Sequence, residues 1–524
     1  MQTKCVNETY HVCGQLSLEQ LTQAQQQGFL SVICMRPDGE GGADQPTHLS
    51  LKAHAESLGL TLVYMPVEKG QITDLNADKL RQQLSELPKP VLAFCASGNR
   101  AHALHVLAES ATSVDTVRRY DVVVVGGGAG GIGITASLLK RQPDLSIAII
   151  EPSEFHYYQP AWTLVGGGAF DVQKTQRKTV DLIPPGAEWI RAAVSCFEPD
   201  TQAVILSHGE QIQYQFLIVA TGLEIAWDRI EGLEDALGSN GVTSNYRFDL
   251  APYTWELVQG LKQGNAIFTQ PPMPIKCAGA PQKAMYLSCD HWLKQGVLNH
   301  INVELNNAGA VLFGVAEFVP PLMAYVKKYN AKLAFQSNLV KVDGPAKTAW
   351  FDVTDSDGQV TRVKKSFDVL HVVPPQRSPD VVRNSPLADA QGWCEVNQFT
   401  LQHVRYDNVF SLGDVCSSPN AKTAAAVRKQ IVVVAENLLA CKASQEMPTR
   451  YDGYGSCPLT VEKGKVVLAE FGFGGKLLPT FPLDPTVPRR SAWFLKSVML
   501  PSIYWHAMLK GHEWLARPAA SKEA

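Results

Sequence analysis

Four sets of residues in this chain have types and spacings that chemistry uses. Gly126, Gly128 and Gly131 form a G-x-G-x-x-G in YDVVVVGGGAGGIGITASLLKR, directly after four valines. The first glycine permits a tight turn, the second lets a pyrophosphate approach the backbone, and the third lets the helix pack on the strand. The helix N-terminus then offers free amides and its dipole to the diphosphate. Glu151, about 20 residues on at the end of LSIAIIEP, is placed to hold ribose hydroxyls. Cys95 and Arg100 frame a six-residue C-x-x-x-x-R loop in VLAFCASGNRAHALHVLAES. Cys277 lies in MPIKCAGAPQ and Cys416 in GDVCSSPNAKT. Two thiols brought together by a fold can cycle between dithiol, disulfide and sulfur-bridged forms.

The elements around these residues favour FAD over NAD. The valine run is a strand buried on both faces, as in a parallel sheet. FLIVATGLE places Thr221 and Gly222 after another buried strand, and NVFSLGDV does the same for Gly413 and Asp414. The two stretches resemble the A-T-G and G-D motifs of two-dinucleotide-fold flavoproteins, where the aspartate contacts the ribityl–phosphate region of FAD. The helix that follows, AKTAAAVRKQIVVVAENLL, can stabilise negative charge on a reduced flavin. Lys422 opens that helix, either near the flavin or as a solvated helix-end lysine. A second G-x-G-x-x-G for NAD(P)H is absent after Gly222; that position carries GNAIFTQPPMPIKCAGAPQK, with Cys277 in it. Cys416 follows Asp414 by two residues, which places it beside the flavin, and small residues at 278–280 leave room for an added sulfur.

The fold class expected is α/β: a tandem Rossmann-type flavoprotein, preceded by a small α/β domain and followed by C-terminal amphipathic helices. The boundaries read as 1–112 for the first domain, 113–119 for a polar linker, 120–440 for the oxidoreductase domain, and 441–524 for a Pro-, Gly- and aromatic-rich remainder. GFLSVICM and KPVLAFC read as strands, ADKLRQQLSEL and AHALHVLAES as helices. A length of 524 residues supports two or three cores. Net charge of -3 excludes a nucleic-acid footprint. Eleven cysteines without a C-x-x-C pair argue against a disulfide scaffold or a metal site, and fit a reducing, cytoplasmic compartment. The first residues, MQTKCVNETYHVCG, do not read as a secretory signal.

FHYYQPAWTLVGGG, PIKCAGAPQKAMYL, AKTAAAVRKQ, YDGYGSCPLTVEKGKVVLAEF and WFLKSVMLPSIYWHAMLKG closely resemble sulfide:quinone oxidoreductases of the mitochondrial-like type, from about Tyr120 to Leu515. The resemblance implies that sulfide attacks a cysteine disulfide or trisulfide beside FAD and leaves a persulfide. Two electrons then pass through FAD to ubiquinone, and the sulfane sulfur passes to an acceptor such as glutathione or sulfite. Cys277 and Cys416 are the positions matched to the redox pair, although Val415 separates Cys416 from the aspartate. Cys457, in YGSCPL, reads as structural.

The tail, SAWFLKSVMLPSIYWHAMLKGHEWLARP, is apolar but interrupted by Lys496, Pro501 and Lys510. It is short for a membrane span, and a central lysine costs roughly 2.5–3.5 kcal/mol there. Two short amphipathic helices lying in the interface fit better, with Trp493, Tyr504, Trp505 and Trp514 at headgroup level. A quinone must enter from the bilayer, which favours the membrane reading; the expected location is peripheral, on the cytoplasmic side of the inner (cell) membrane. Phe471 and Phe473 are candidate quinone-pocket aromatics.

The Cys95–Arg100 loop builds an anion cradle from successive amides, an arginine and a helix N-terminus, and the same field makes Cys95 a nucleophile. Its length is that of rhodanese-type sulfurtransferases. GQLS, MRPDGE and MPVEKGQITDLN resemble the small domain related to beta-lactamase-hydrolase proteins, over residues 5–112. Fusion to a persulfide-forming flavoprotein favours sulfur relay through Cys95, because tethering raises effective concentration; Arg100 would hold sulfite or thiosulfate. A phosphatase would use Cys95 as nucleophile and Asp74 as general acid, although Asp74 reads more readily as a loop or cap residue. His102 and His105 read as surface or packing residues. Rival readings of the whole chain are an NADH:quinone dehydrogenase-like flavoprotein and a non-catalytic persulfide sensor. The oligomeric state stays open, a homo-oligomer included.

Overall fold

The computed structural model describes residues 3–7, 9–110 and 118–517. Two compact units divide the chain, Met1–Arg118 and Arg119–Ala524. The expected linker lies for the most part outside the described residues. The remainder from Cys441 forms no body of its own but belongs to the second unit.

The first unit is a five-stranded sheet in the order Lys4–Asn7, Tyr10–Cys13, Val91–Phe94, Ser31–Cys34, Thr61–Tyr64. Only the first pair is antiparallel. The central strand, Val91–Phe94, is buried at all four positions, which explains its unbroken apolar sequence. Helices Leu18–Gln26, His48–Ser57, Asp74–Glu86 and Asn99–Ser110 complete the unit. Ser17 and Gln20 form a reciprocal capping box on the first. Cys95 leaves the C-terminal end of the central strand, where ligands of open parallel sheets bind.

The second unit contains two sheets of Rossmann character. In the first, Arg119–Val125 pairs in parallel with Ile147–Ile150 on one side and Gln211–Val219 on the other. Val409–Ser411 also joins Gln211–Val219 in parallel. The helix Ala129–Arg141 packs over this sheet beside Ala424–Lys442. In the second sheet, Gly264–Gln270 lies between Val369–His371 and Ile301–Asn307, all parallel. After Gly264–Gln270 the chain runs through Pro271 to Gly279 before the helix Ala280–Lys294. A prolyl loop carrying Cys277 thus stands where a second glycine-rich loop would stand.

Two further pieces complete the unit. The hairpin Gly455–Glu462/Lys465–Phe471 packs on the helix Ala280–Lys294. The C-terminal segment runs Arg490–Phe494, a π-helical turn at Leu495–Met499, and Leu500–His506. No helix among the described residues is long and apolar enough to cross a membrane.

Candidate active site

The glycine loop has the geometry its sequence requires. Gly126 adopts φ +107°, and a Cβ there would lie 2.5 Å from Ala220 O. A Cβ on Gly131 would lie 1.7 Å from Gly126 O. Gly128, the N-cap of the helix, has nothing within 4 Å of that position, so its backbone is open to a phosphate. The Gly127 amide donates to Glu151 Oε2 at 2.7 Å. Thr221 Oγ1 is a buried hydroxyl without a hydrogen-bond partner, and Gly222 takes φ +71°. Gly413 donates to Gln430 Oε1 at 2.8 Å. Burial pushes the Asp414 carboxyl up, against the opposing pull of Lys422 and Lys276. Lys422 Nζ donates to the carbonyls of Asp414 and Cys416, and lies 4.1 Å from the Trp393 ring centroid. It is therefore a buried brace of the Asp414 turn, not a solvated helix end. These residues fit a dinucleotide flavin.

The thiol pairing expected from the sequence is corrected. Cys277 Sγ lies 3.4 Å from Cys457 Sγ, on the hairpin strand Gly455–Glu462. Cys416 Sγ instead donates to Gly413 O at 3.1 Å and is buried beneath the Asp414 turn; its neighbour across a parallel bridge is Cys394. Burial pushes the Cys416 thiol up, so it rests protonated. The physical reason is placement. Cys416 turns back into the core under its own turn, whereas the hairpin lays Cys457 over the start of the helix Ala280–Lys294.

Cys277 is held in an unusual conformation, φ +52°, which non-glycine residues seldom adopt without a fixing structure. Three contacts fix it here. Its amide donates to Lys422 O at 2.9 Å, its carbonyl accepts from Ala280 N at 2.7 Å, and Tyr246 Oη donates to Lys276 O at 2.9 Å. Small residues follow for a steric reason: a Cβ on Gly279 would meet Leu459 at 2.3 Å and Cys457 Sγ at 3.1 Å.

Two lysines set the charge. Lys283, one turn into the helix, donates to Cys277 Sγ at 3.0 Å. Lys496, on the π-helical turn, is 5% exposed. The hydrogen bond from Cys457 holds Cys277 well below the usual thiol range, and Lys283 and Lys496 add to it against the cost of burial. The same bond, with burial, pushes Cys457 well up. Burial and the nearby Lys283 lower Lys496 to about 7, with the two cysteines pulling the other way. Sequence reasoning read Cys457 as structural rather than as a thiol partner, and Lys496 only as an interruption of the apolar tail. The signal for Cys457 was its place in a matching segment without the one-residue offset that Cys416 shows.

The tail expectation is corrected in part. Tyr504 and Trp505 face the core, each 4% exposed. Tyr504 Oη pairs with His156 Nε2 at 2.6 Å, and Arg177 stacks on Trp505. The apolar side chains left outside are Phe494, Val498, Met499, Trp514 and Leu515. Phe471 and Phe473 are half-buried; Phe471 packs edge-on against Phe313, and Phe473 against Tyr451 and Phe399.

In the first unit Cys95 is buried and its Sγ accepts from the Gly98 amide at 3.2 Å. Arg100 is not free. Its Nη2 donates to both carboxylate oxygens of Glu40, at 2.7 Å each, and Nη1 donates to Val67 O. His105 is buried against Tyr10, while Lys4 contacts His102.

Residues 2–112 match the family model described as beta-lactamase hydrolase-like protein, phosphatase-like domain. Residues 120–258 match that described as pyridine nucleotide-disulphide oxidoreductase. The mitochondrial sulfide:quinone oxidoreductase of Dictyostelium discoideum is 42% identical over 401 residues, 76% of this chain and 87% of the relative. The chain belongs to the sulfide:quinone oxidoreductase family. The mitochondrial sulfide:quinone oxidoreductase of Mus musculus is 39% identical over 75% of this chain and 87% of its own. The solved sulfide:quinone oxidoreductase of Aquifex aeolicus shares the fold, with a TM-score of 0.63 at 19% identity over 75% of this chain and 92% of that one. Like its family, this oxidoreductase is an FAD-dependent flavoprotein.

Proposed function

We propose that the protein oxidises sulfide at Cys277 and Cys457 and delivers the electrons to a membrane quinone, ubiquinone in first place. The observation that carries this reading is the 3.4 Å approach of the two thiols under Lys283. That separation exceeds a disulfide bond of about 2.05 Å and is less than twice it, so it suits either closure to a disulfide or one bridging sulfur.

The charge asymmetry assigns the roles. Lower-pKa thiols leave faster in exchange, so Cys277 is the leaving sulfur and hydrosulfide attacks Cys457. The step is HS⁻ plus the Cys277–Cys457 disulfide giving a Cys457 persulfide and a Cys277 thiolate: one S–S bond breaks and one forms. Lys283 holds the departing thiolate by its 3.0 Å hydrogen bond. A thiol or sulfite acceptor, glutathione among the candidates, then removes the outer sulfur from Cys457. The two thiolates reclose the disulfide and release two electrons. The glycine loop at Gly126–Gly131, Glu151 and the Asp414 turn would hold FAD, which would supply the two-electron acceptor between the thiols and quinone.

The exposed apolar residues of the C-terminal segment support membrane docking on the cytoplasmic face of the inner (cell) membrane, with Phe494, Val498 and Trp514 in the interface. In the N-terminal unit, Cys95 accepts sulfane sulfur and relays it, supported by the amide-cradled thiol; a phosphatase role for that unit is the alternative outcome of assay.

The test is anaerobic flavin absorbance of the purified protein. Bleaching by sulfide, recovery with a short-chain ubiquinone and no response to NADH support the reading. Bleaching by NADH and not by sulfide overturns it.

A further inference from the structure

The N-terminal unit holds a charge network, built from Arg36, Glu40 and Arg100, to which the sulfide chemistry of the second unit gives no role. Glu40 is clasped by two arginines. Arg100 donates to both of its oxygens at 2.7 Å, and Arg36 Nε donates to Oε2 at 2.8 Å. The two arginine side chains are largely covered, 11% exposed for Arg100 and 16% for Arg36, while Glu40 stands at the surface of the network, so an approaching anion meets its carboxylate. Arg36 also reaches the cysteine loop, because its Nη1 donates to Gln15 Oε1 at 3.0 Å and the Gln15 amide donates to Ala96 O.

Glu40 is not on a loose lid. The segment that carries it is tied down at successive points. Gly41 N donates to Gln45 Oε1, and Gln45 Nε2 donates to Pro37 O, both at 2.7 Å. His48 N and Nδ1 contact the two oxygens of Asp38 at 2.8 and 2.6 Å. Asp38 N donates to Tyr64 Oη, and His48 stacks on the Tyr64 ring at 3.8 Å. The carboxylate is therefore a fixed part of the cradle. It keeps one of the two arginine charges cancelled whenever an anion approaches the Cys95 loop.

We propose that Glu40 is the specificity-determining and positioning residue of the Cys95 site: it fixes the plane of Arg100 and selects sulfane-sulfur donors of low charge, such as alkyl persulfides, over dianions such as thiosulfate and phosphate monoesters. This inference rests on the sulfur-relay reading of the N-terminal unit. The transfer is Cys95–S⁻ plus R–S–SH giving Cys95–S–SH plus R–S⁻; the outer sulfur changes partner and no oxidant is required. A dianion bound on Arg100 lies within a few ångströms of the Glu40 carboxylate and is repelled about twice as strongly as a monoanion.

The experiment uses the full chain and measures thiocyanate formed from cyanide, with thiosulfate and with cysteine persulfide as donors. The rate of Cys95→Ser is subtracted for each. Glu40→Gln is expected to raise kcat/KM for thiosulfate relative to persulfide about ten-fold, mainly through KM. Arg36→Gln removes one positive charge and is expected to move the ratio the other way. Glu40→Asp keeps the charge and is expected to keep the wild-type preference. A ratio that stays constant in both Glu40→Gln and Arg36→Gln, with the two donors rising or falling together, overturns the selectivity role. No difference between wild type and Cys95→Ser with either donor overturns the relay reading itself.

Discussion

Cys277 Sγ and Cys457 Sγ lie 3.4 Å apart although 180 residues separate them in the chain. The bond between them, with Lys283 beside Cys277, holds the Cys277 thiol well below the usual range and pushes Cys457 well above it. Replacing either by serine removes one sulfur of the 3.4 Å pair. Cys277→Ser and Cys457→Ser are each expected to lower sulfide-dependent quinone reduction by about a thousand-fold or more, with FAD content unchanged, as read by steady-state assay and flavin absorbance.

Lys496 makes folding costly. Burial lowers it from 10.5 to about 7. Between those values the unfolded chain binds a proton that the folded chain does not, so on this group's account stability rises with pH from about 7 to about 10.5. The cost is complete below about 7. Lys496→Met is therefore expected to stabilise the protein at pH 6 by up to about 5 kcal/mol, with the gain shrinking toward pH 10. Turnover should fall in the same variant, because Cys277 loses a nearby cation. Thermal melts across pH, with activity measured alongside, check both directions.

Gly279 tests the space beside the thiols. A methyl group there meets Leu459 and Cys457, so Gly279→Ala is expected to destabilise by about 1–3 kcal/mol and to slow turnover by pushing the sulfurs apart. Chemical denaturation and kcat are the readouts. Full activity in a stable Gly279→Ala protein would contradict the packing described.

The strand and glycine-loop signals were legible in the sequence, while the direction in which single side chains turn and the contacts between distant segments were not. The valine run, the spacing of Gly126 to Gly131 and the acid at Glu151 lie within about 30 residues of one another, and the structure joins them in one strand, loop and strand. The thiol pairing depends on a hairpin folding back over a helix more than 150 residues earlier, which no spacing records. Cys416 drew attention by its nearness to Asp414, yet its side chain turns into the core. Lys496 looked like an interruption of an apolar tail because a lone lysine usually seeks water; only the packed π-helical turn shows it pointing inward. Tyr504 and Trp505 likewise read as interfacial residues until their partners, His156 and Arg177, are seen.

The outward face of the C-terminal segment carries its own prediction. Replacing Phe494, Val498 and Trp514 together by serine removes exposed side chains and leaves the core untouched. The variant is expected to keep flavin bleaching by sulfide but to lose flotation with phospholipid vesicles, each buried apolar side chain being worth about 1.5–3 kcal/mol. Retained flotation would place membrane contact elsewhere.

The central claim is that Cys457, and not Cys416, is the partner of Cys277. Stopped-flow bleaching of the flavin by sulfide under anaerobic conditions, in Cys457→Ser and Cys416→Ser side by side, tests it most directly. The account predicts that Cys457→Ser is not bleached on the time scale of turnover, while Cys416→Ser is bleached within a few-fold of the wild-type rate. Rapid bleaching of Cys457→Ser with loss in Cys416→Ser would contradict it.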